Sequence, residues 1–250
     1  MKSKLIILGS GSSTGVPMAN GFWGECKSRN KKNYRTRCSA IIKKGSNLIL
    51  IDTSPDLRFQ LLRNKIKNVS NVIFSHEHAD QTNGIIDLRP FYFVKKKKID
   101  VYGSNKTINN LKKRYSYCFK DQNGYEAFLK PNLVKKNFSL GKFKEKIKFK
   151  SLQVKHGYTT NTAYIFENTA YIADCNDLSI VEKKELYGLK YLIIDCLKIQ
   201  KHPTHFNLHE SLYVHSVLRP KKTILTNLNA DLDYKFLLKN IPKNVVPAFD

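Results

Sequence analysis

Residues 71–81 read Asn71-Val72-Ile73-Phe74-Ser75-His76-Glu77-His78-Ala79-Asp80-Gln81. An apolar run with two β-branched residues ends at Phe74 and gives way to two imidazoles two positions apart, then a carboxylate. In a turn that leaves a strand, the rings of His76 and His78 can face one cation while Asp80 reaches a neighbouring point. Imidazole suits Zn, Mn or Fe, and carboxylate suits harder ions. With 7 His in 250 residues, this spacing is improbable as an accident of composition.

Working outward, the same arrangement recurs. Apolar, β-rich runs occupy residues 4–8, 40–43, 47–52, 71–74, 99–102, 146–155, 162–166, 170–173, 190–195 and 223–226. Helical spacing marks 55–67, 107–118, 178–186, 208–218 and 232–240, the first with Pro55 near its start. Strands with interspersed helices predict an α/β fold, sheets covered by helices. Gly9, Asp52, His76, His156, Asp174, Asp195 and Asn227 each follow such a run, which argues for one rim where a rigid scaffold presents reactive groups. The Lys-rich stretch 135–150 reads as an exposed edge or hairpin. No repeat or Pro/Ser-rich linker divides the chain, so 1–250 reads as a single domain.

Composition bounds the function. A 41% hydrophobic, 26% charged chain is an ordinary globular one, which excludes disorder, collagen and coiled coil. The 44 Lys+Arg against 20 Asp+Glu give a net charge of +24. Only 8 of those cations are Arg, whereas nucleic-acid readers favour its bidentate fork. Lys, Asn and Ile enrichment has a bland compositional cause; steering of an anionic substrate is the functional one. The 5 Cys form no CxxC pair, so neither a disulfide framework nor a zinc ribbon is indicated. The apolar run at residues 5–8 is shorter than the roughly 7–15 residues of a signal peptide or about 20 of a span, and the expectation is a cytoplasmic protein without a membrane partner.

His76-Glu77-His78-Ala79-Asp80, followed by Gly84-Ile85-Ile86-Asp87-Leu88-Arg89, resembles the HxHxDH signature of the metallo-β-lactamase superfamily. The loop Leu8-Gly9-Ser10-Gly11-Ser12-Ser13-Thr14-Gly15-Val16-Pro17 is more closely similar to the PhnP-like phosphodiesterase branch. The similarity runs on through 51–56, the His156 region, Ala173-Asp174 and Leu225-Thr226-Asn227. It implies a four-layer αββα sandwich with a dinuclear metal site.

Carried across position by position, His76, His78 and His156 match the imidazole ligands of a first ion, and Asp174 the carboxylate that bridges both. The second site departs from the family: Gln81 and Asn227 stand where His is usual, leaving Asp80, Asp174 and neutral amide oxygens. One or two divalent ions per chain, Mn or Zn, are expected, with a weakened, oxygen-rich second site that prefers Mn²⁺ or Mg²⁺ or fills only with substrate. Cys26 and Cys38 lack the companions of the structural zinc that some relatives carry. His205, in His202-Pro203-Thr204-His205, resembles the family's general acid, and Asp80 is placed with it in the catalytic set. His209 reads as a surface or capping residue. Asp52 is expected to hydrogen-bond a ligand His or a nearby amide. Gly9 and Gly11 suit either close approach to the site or a tight turn, and the loop 21–24 with Trp23 either walls the pocket or plugs it. Arg58 and Arg89 are left to surface ion pairs.

The implied function is a metal-dependent phosphodiesterase that cleaves a small or cyclic (nucleotide) phosphodiester with metal-activated water. An RNA 3′-processing endonuclease shares the ligand set and would use the positive charge, but no flexible arm is evident. A thioesterase or lactonase gives the charge no purpose, and a lactamase would need export. A degenerate metal- or RNA-binding protein is the non-enzymatic alternative. The partner is a small anionic phosphodiester, with nucleic acid the alternative; a homodimer rests on the resemblance alone.

Overall fold

The computed structural model describes residues 2–122 and 124–250. Its strands are β1 (Lys4–Gly9), β2 (Ser39–Lys44), β3 (Asn47–Ile51), β4 (Asn71–Ile73), β5 (Ile99–Gly103) and β6 (Leu129–Leu133). There follow β7 (Asn137–Leu140), β8 (Ile147–His156), β9 (Thr159–Phe166), β10 (Thr169–Ile172), β11 (Tyr191–Asp195), β12 (Lys222–Thr226) and β13 (Val245–Pro247). They form a six-stranded sheet ordered β1-β2-β3-β4-β5-β6 and a seven-stranded sheet ordered β13-β12-β11-β10-β9-β8-β7. The chain divides into two compact units, one comprising the residues up to Leu8 with Ser39–Phe149, the other Gly9–Cys38 with Lys150–Asp250.

In the first unit β3, β4 and β5 run parallel, with Ile51 beside Ile73 and Ile73 beside Tyr102. Their C-terminal ends therefore share one rim, from which Asp52 and the His76 loop leave. Leu50, Val72 and Val101 pack with Leu57 and Leu61 of the helix Leu57–Arg63 and with Ile108 and Leu111 of Asn105–Arg114. In the second unit β10, β11 and β12 are parallel, and β9 runs antiparallel to β10. Asp174, Asp195 and Asn227 leave the same end of their strands. Continuous runs such as Leu192-Ile193-Ile194 are buried throughout, as strands covered on both faces require.

The caps set the helix limits that periodicity misplaced. The expected helix 178–186 begins at Ile180 because Ser179 and Glu182 form a reciprocal capping box. Asp233 accepts from the Lys235 and Phe236 amides and starts Tyr234–Asn240. The expected helix 107–118 is two helices, Asn105–Arg114 and Ser116–Phe119, broken at Tyr115 by its φ of −123°. Leu208–Leu218 matches its expectation, capped by Asn207 and Glu210. Elements unread in the sequence include two edge strands and several short helices. β6 and β13 are edge strands, where Pro131 and Pro247 cost no interior ladder bond, and the helix Arg89–Lys95 buries no residue that would reveal a period. β7 is the edge expected within 135–150. Among the described residues no helix is long and apolar enough to cross a membrane.

Arg35 is a feature with no signal in the sequence. It is buried to 1% exposure in the second unit and donates to the carbonyls of Asn229 (3.1 Å) and Leu232 (2.7 Å). Burial pushes its guanidinium pKa down while Cys26 and the nearby acids Asp250 and Asp233 pull it back. Truncation strands several buried acceptors, each costing about 1–3 kcal/mol. Arg35→Ala is thus expected to destabilise by about 3 kcal/mol or more, read as a lower denaturation midpoint at unchanged m-value. A loss within about 0.5 kcal/mol would contradict this role.

His215, near the end of Leu208–Leu218, is buried with Nδ1 2.8 Å from the Thr223 hydroxyl. Burial lowers its pKa, only partly offset by a hydrogen bond with Asn244. The unfolded chain therefore binds a proton at this residue before the folded one does, and stability falls as pH drops below the ordinary histidine range. His215→Gln is expected to flatten that acid-side loss in melting curves taken across pH 5–7. An equally steep loss in the variant would exclude His215 as its source.

Candidate metal site

The first unit supplies one loop. Asp52, just past β3, sits at φ +60° and is fully buried. Its Oδ1 accepts from the Ser75 amide (2.7 Å) and its Oδ2 from the Ser75 hydroxyl (2.8 Å). Burial raises its carboxyl to about 7, against these two bonds and with a smaller push from Asp80. Since the Ser75 proton goes to Asp52, the hydroxyl lone pair faces His76 Nδ1 at 3.0 Å. That assigns the ring proton to Nδ1 and leaves Nε2 as the unprotonated, metal-competent nitrogen.

His78 is exposed at the start of the short helix Ala79–Thr82, and its ring meets that of His76 edge-on with centroids 4.4 Å apart. Between them Glu77 turns away, its Oε1 2.6 Å from Lys106 Nζ. Burial works to raise the Glu77 pKa, but Lys106 and Thr107 bring it below the ordinary value. Arg114 donates to the Glu77 carbonyl, so the loop is tied to the helix Asn105–Arg114.

Ala79–Thr82 is docked by the Thr53 amide on the Gln81 carbonyl (2.8 Å) and by the Gly84 amide on the Thr53 carbonyl (2.9 Å). A Cβ at Gly84 would lie 2.0 Å from the Ser54 carbonyl oxygen, which explains the glycine. Gln81 is fully buried; its Nε2 donates to Asp80 Oδ2 (3.2 Å) while its Oε1 has no hydrogen-bond partner. A buried orphan acceptor beside a carboxylate is what a hard divalent cation would satisfy. The residues present fit such an ion.

The second unit supplies the other set. His156 ends β8, and its Nδ1 donates to the Thr204 carbonyl (2.7 Å), which again leaves Nε2 unprotonated. Asp174, two residues past β10, and Asp195, the last residue of β11, are buried. Asn227, just past β12 at φ +63°, divides its amide protons between Asp174 Oδ1 (3.1 Å) and Asp195 Oδ1 (3.0 Å). It thus turns nitrogen, not oxygen, toward the carboxylates. Asp195 Oδ2 accepts from the Cys175 amide (2.9 Å) and from His205 Nδ1 (2.7 Å). Burial raises the Asp195 pKa against the pull of His205. Asp174, Asp195 and His205 offer ligand-type atoms within 4.8 Å of one another.

Of the residues expected from sequence, His76, His78, Asp80 and Gln81 thus share one loop, and His156, Asp174, Asn227 and His205 gather at one rim of the second unit. Asp52 acts on His76 through Ser75. The partnership of Asp195 with His205 was not read, since nothing local links a strand end to a histidine ten residues on. Gly11 serves the tight-turn reading: its amide donates to the Thr36 carbonyl (2.8 Å), and a Cβ there would meet Arg35 and Thr36 at 3.0 Å. Trp23 packs with Val16, Cys26 and Ala230, and His209 is exposed on Leu208–Leu218. Arg89 stacks over Phe93 and Tyr125, each 5.0 Å from the ring centroid.

Known proteins match most or all of this chain. The family model of the beta-lactamase superfamily domain matches residues 47–226. A new diphosphatase from the PhnP family superposes with TM-score 0.90 at 30% identity, covering 100% of this chain and 96% of that one. The short form of human tRNase Z shares the fold at TM-score 0.69 and 15% identity, covering 100% and 97%. An octanoyltransferase of Porphyromonas gingivalis is 28% identical over 228 residues, 90% of this chain but 46% of its own, so the chain spans under half of that relative. The two sheets with their helices are those of the αββα metallo-β-lactamase fold, whose members typically bind divalent metals. The chain belongs to the beta-lactamase superfamily, as a metallo-β-lactamase-fold hydrolase similar to a member of the PhnP family.

Proposed function

We propose that the protein is a metal-dependent phosphodiesterase acting on a small or cyclic phosphodiester, with His76, His78, His156 and Asp174 as ligands of a catalytic divalent ion. Asp80 and the orphaned Gln81 Oε1 are the donors for a second, weaker ion of the Mn²⁺ or Mg²⁺ type. Asn227, as it is turned, links the Asp174 and Asp195 carboxylates by hydrogen bonds. A divalent ion, when bound, supplies Lewis acidity for the phosphoryl oxygens and lowers the pKa of a water.

The chain's own residues do the rest. Ser75 and the Thr204 carbonyl fix the tautomers of His76 and His156, so both rings present Nε2 without rearrangement. His205 holds a proton at Nε2 for the departing oxygen, and Asp195 at Nδ1 stabilises the charged ring that gives it up. This dyad is the observation that carries the reading. A protonated imidazole braced by a buried carboxylate is suited to a leaving group of high basicity, such as the alkoxide of a phosphodiester.

The similarity to a PhnP-family diphosphatase favours a second reading, in which the bond cleaved is a phosphoanhydride. Hydrolysis of bis(p-nitrophenyl) phosphate with added Mn²⁺, set beside p-nitrophenyl octanoate, tests the class. Chelator-sensitive turnover of the phosphodiester and none of the acyl ester is expected. Turnover of the acyl ester alone would replace the proposal with acyl chemistry.

A further inference from the structure

We propose that His202 is a substrate-binding residue that selects a leaving group carrying a phosphate, so that the preferred substrate is a diphosphate rather than a diester of two simple alcohols. This rests on the second reading above, cleavage of a phosphoanhydride, and names the leaving-group side of that site.

Residues 202–205 are held rigidly within the second unit. The Thr204 carbonyl accepts from His156 Nδ1 (2.7 Å), and the Pro203 carbonyl accepts from Asn176 Nδ2 (3.1 Å). Asn176 Oδ1 in turn accepts from the Gly157 amide (2.8 Å). Gly157 lets Thr204 close in: a Cβ there would lie 2.6 Å from the threonine methyl.

On this loop the His202 ring is oriented. Its Nδ1 accepts from the Thr204 amide (3.4 Å) and lies 3.2 Å from the Thr204 hydroxyl. An amide can only donate, so Nδ1 carries the lone pair and Nε2 the proton. The Nε2–H of this half-buried ring has no partner among the described residues. Burial, then His205 and Lys198, lower the pKa of the ring. The ring stands 5.2 Å from that of His205, centroid to centroid. A fixed, unengaged N–H donor beside the proposed acid has no structural duty that its neighbours reveal.

A leaving alkoxide needs one proton, which His205 supplies. A leaving phosphate brings further anionic oxygens, and the His202 Nε2–H is a donor that matches them. The step balances: the oxygen of water bonds to the attacked phosphorus and the bridging P–O bond breaks. Its electron pair goes to the leaving phosphate, which takes the His205 proton, and water's displaced proton returns the acid to its starting state.

The test compares wild type, His202→Ala and His202→Gln on methyl diphosphate and on bis(p-nitrophenyl) phosphate, with the same metal. His202→Ala should lower kcat/KM for the diphosphate by about 10- to 100-fold, chiefly through KM, and by far less for the diester. His202→Gln, whose amide N–H reaches a similar point, should recover part of the loss. Equal losses on both substrates, or a wild type that ignores the diphosphate, overturn the inference and leave the hydrolase reading standing. A wild type inactive on both overturns that reading instead. Nitrogen-15 NMR of the imidazoles then still decides the role of His202: inorganic phosphate should shift a protonated Nε2, and a proton found on Nδ1 would refute it.

Discussion

Replacing His78 by Ala is expected to lower phosphodiester kcat/KM by more than about 100-fold, because loss of a mere outer-shell partner of a metal ligand typically costs about 10- to 100-fold. The loss should appear in kcat, and excess Mn²⁺ should restore little of it. The variant is a clean one. His78 is exposed, makes no capping hydrogen bond to its helix, and lies outside the apolar core around Phe74 and Leu88. Its thermal unfolding should therefore stay near that of the metal-free wild type. Activity within threefold of wild type would remove His78 from the ligand set and the phosphodiesterase proposal with it.

The second large effect falls on the acid. His205→Ala should reduce kcat by about 10²- to 10⁴-fold for an alkyl leaving group, the range of a lost general acid, and much less for p-nitrophenolate, which departs without a proton. Asp195→Asn tests the brace. Its Oδ2 accepts from both Cys175 and His205, so an amide there cannot stabilise the charged ring. The alkaline limb of the pH–rate profile should move to lower pH, since the imidazolium loses its carboxylate. A merely structural role for Asp195 would lower activity evenly across pH. Equal losses of His205→Ala on both leaving groups would contradict the assignment.

The loop after β4 was legible because residues 71–81 carry their signal locally: a strand, a turn and polar side chains at fixed spacing. His156 and Asp174 were legible as polar residues ending apolar runs, helped by the family resemblance. What orients them was legible only in part: Asp52 takes the nearby amide expected of it, that of Ser75, and the remaining contacts were not foreseen. Ser75 hands the Asp52 carboxylate to His76 across 23 residues, and Thr204 reaches His156 across 48, through contacts that no spacing encodes. Arg35 could not be told from any other cation, because its carbonyl partners near residues 229–232 are invisible in the sequence. Two edge strands were missed for a related reason. β6 carries Pro131 and β13 ends in Pro247, which suit a sheet border but erase the alternation that betrays a strand, whereas β1 and the Lys-rich border at β7 were legible.

The central claim, that His78 and His156 are ligands of the same divalent ion, is met most directly by elemental analysis of protein purified without chelator. Wild type, His78→Ala, His156→Ala and the double variant are compared. The account predicts at least one Mn or Zn per wild-type chain, the same ion missing from each single variant, and no further loss in the double. A metal-free wild type after growth with both metals, or losses that add in the double variant, would contradict it.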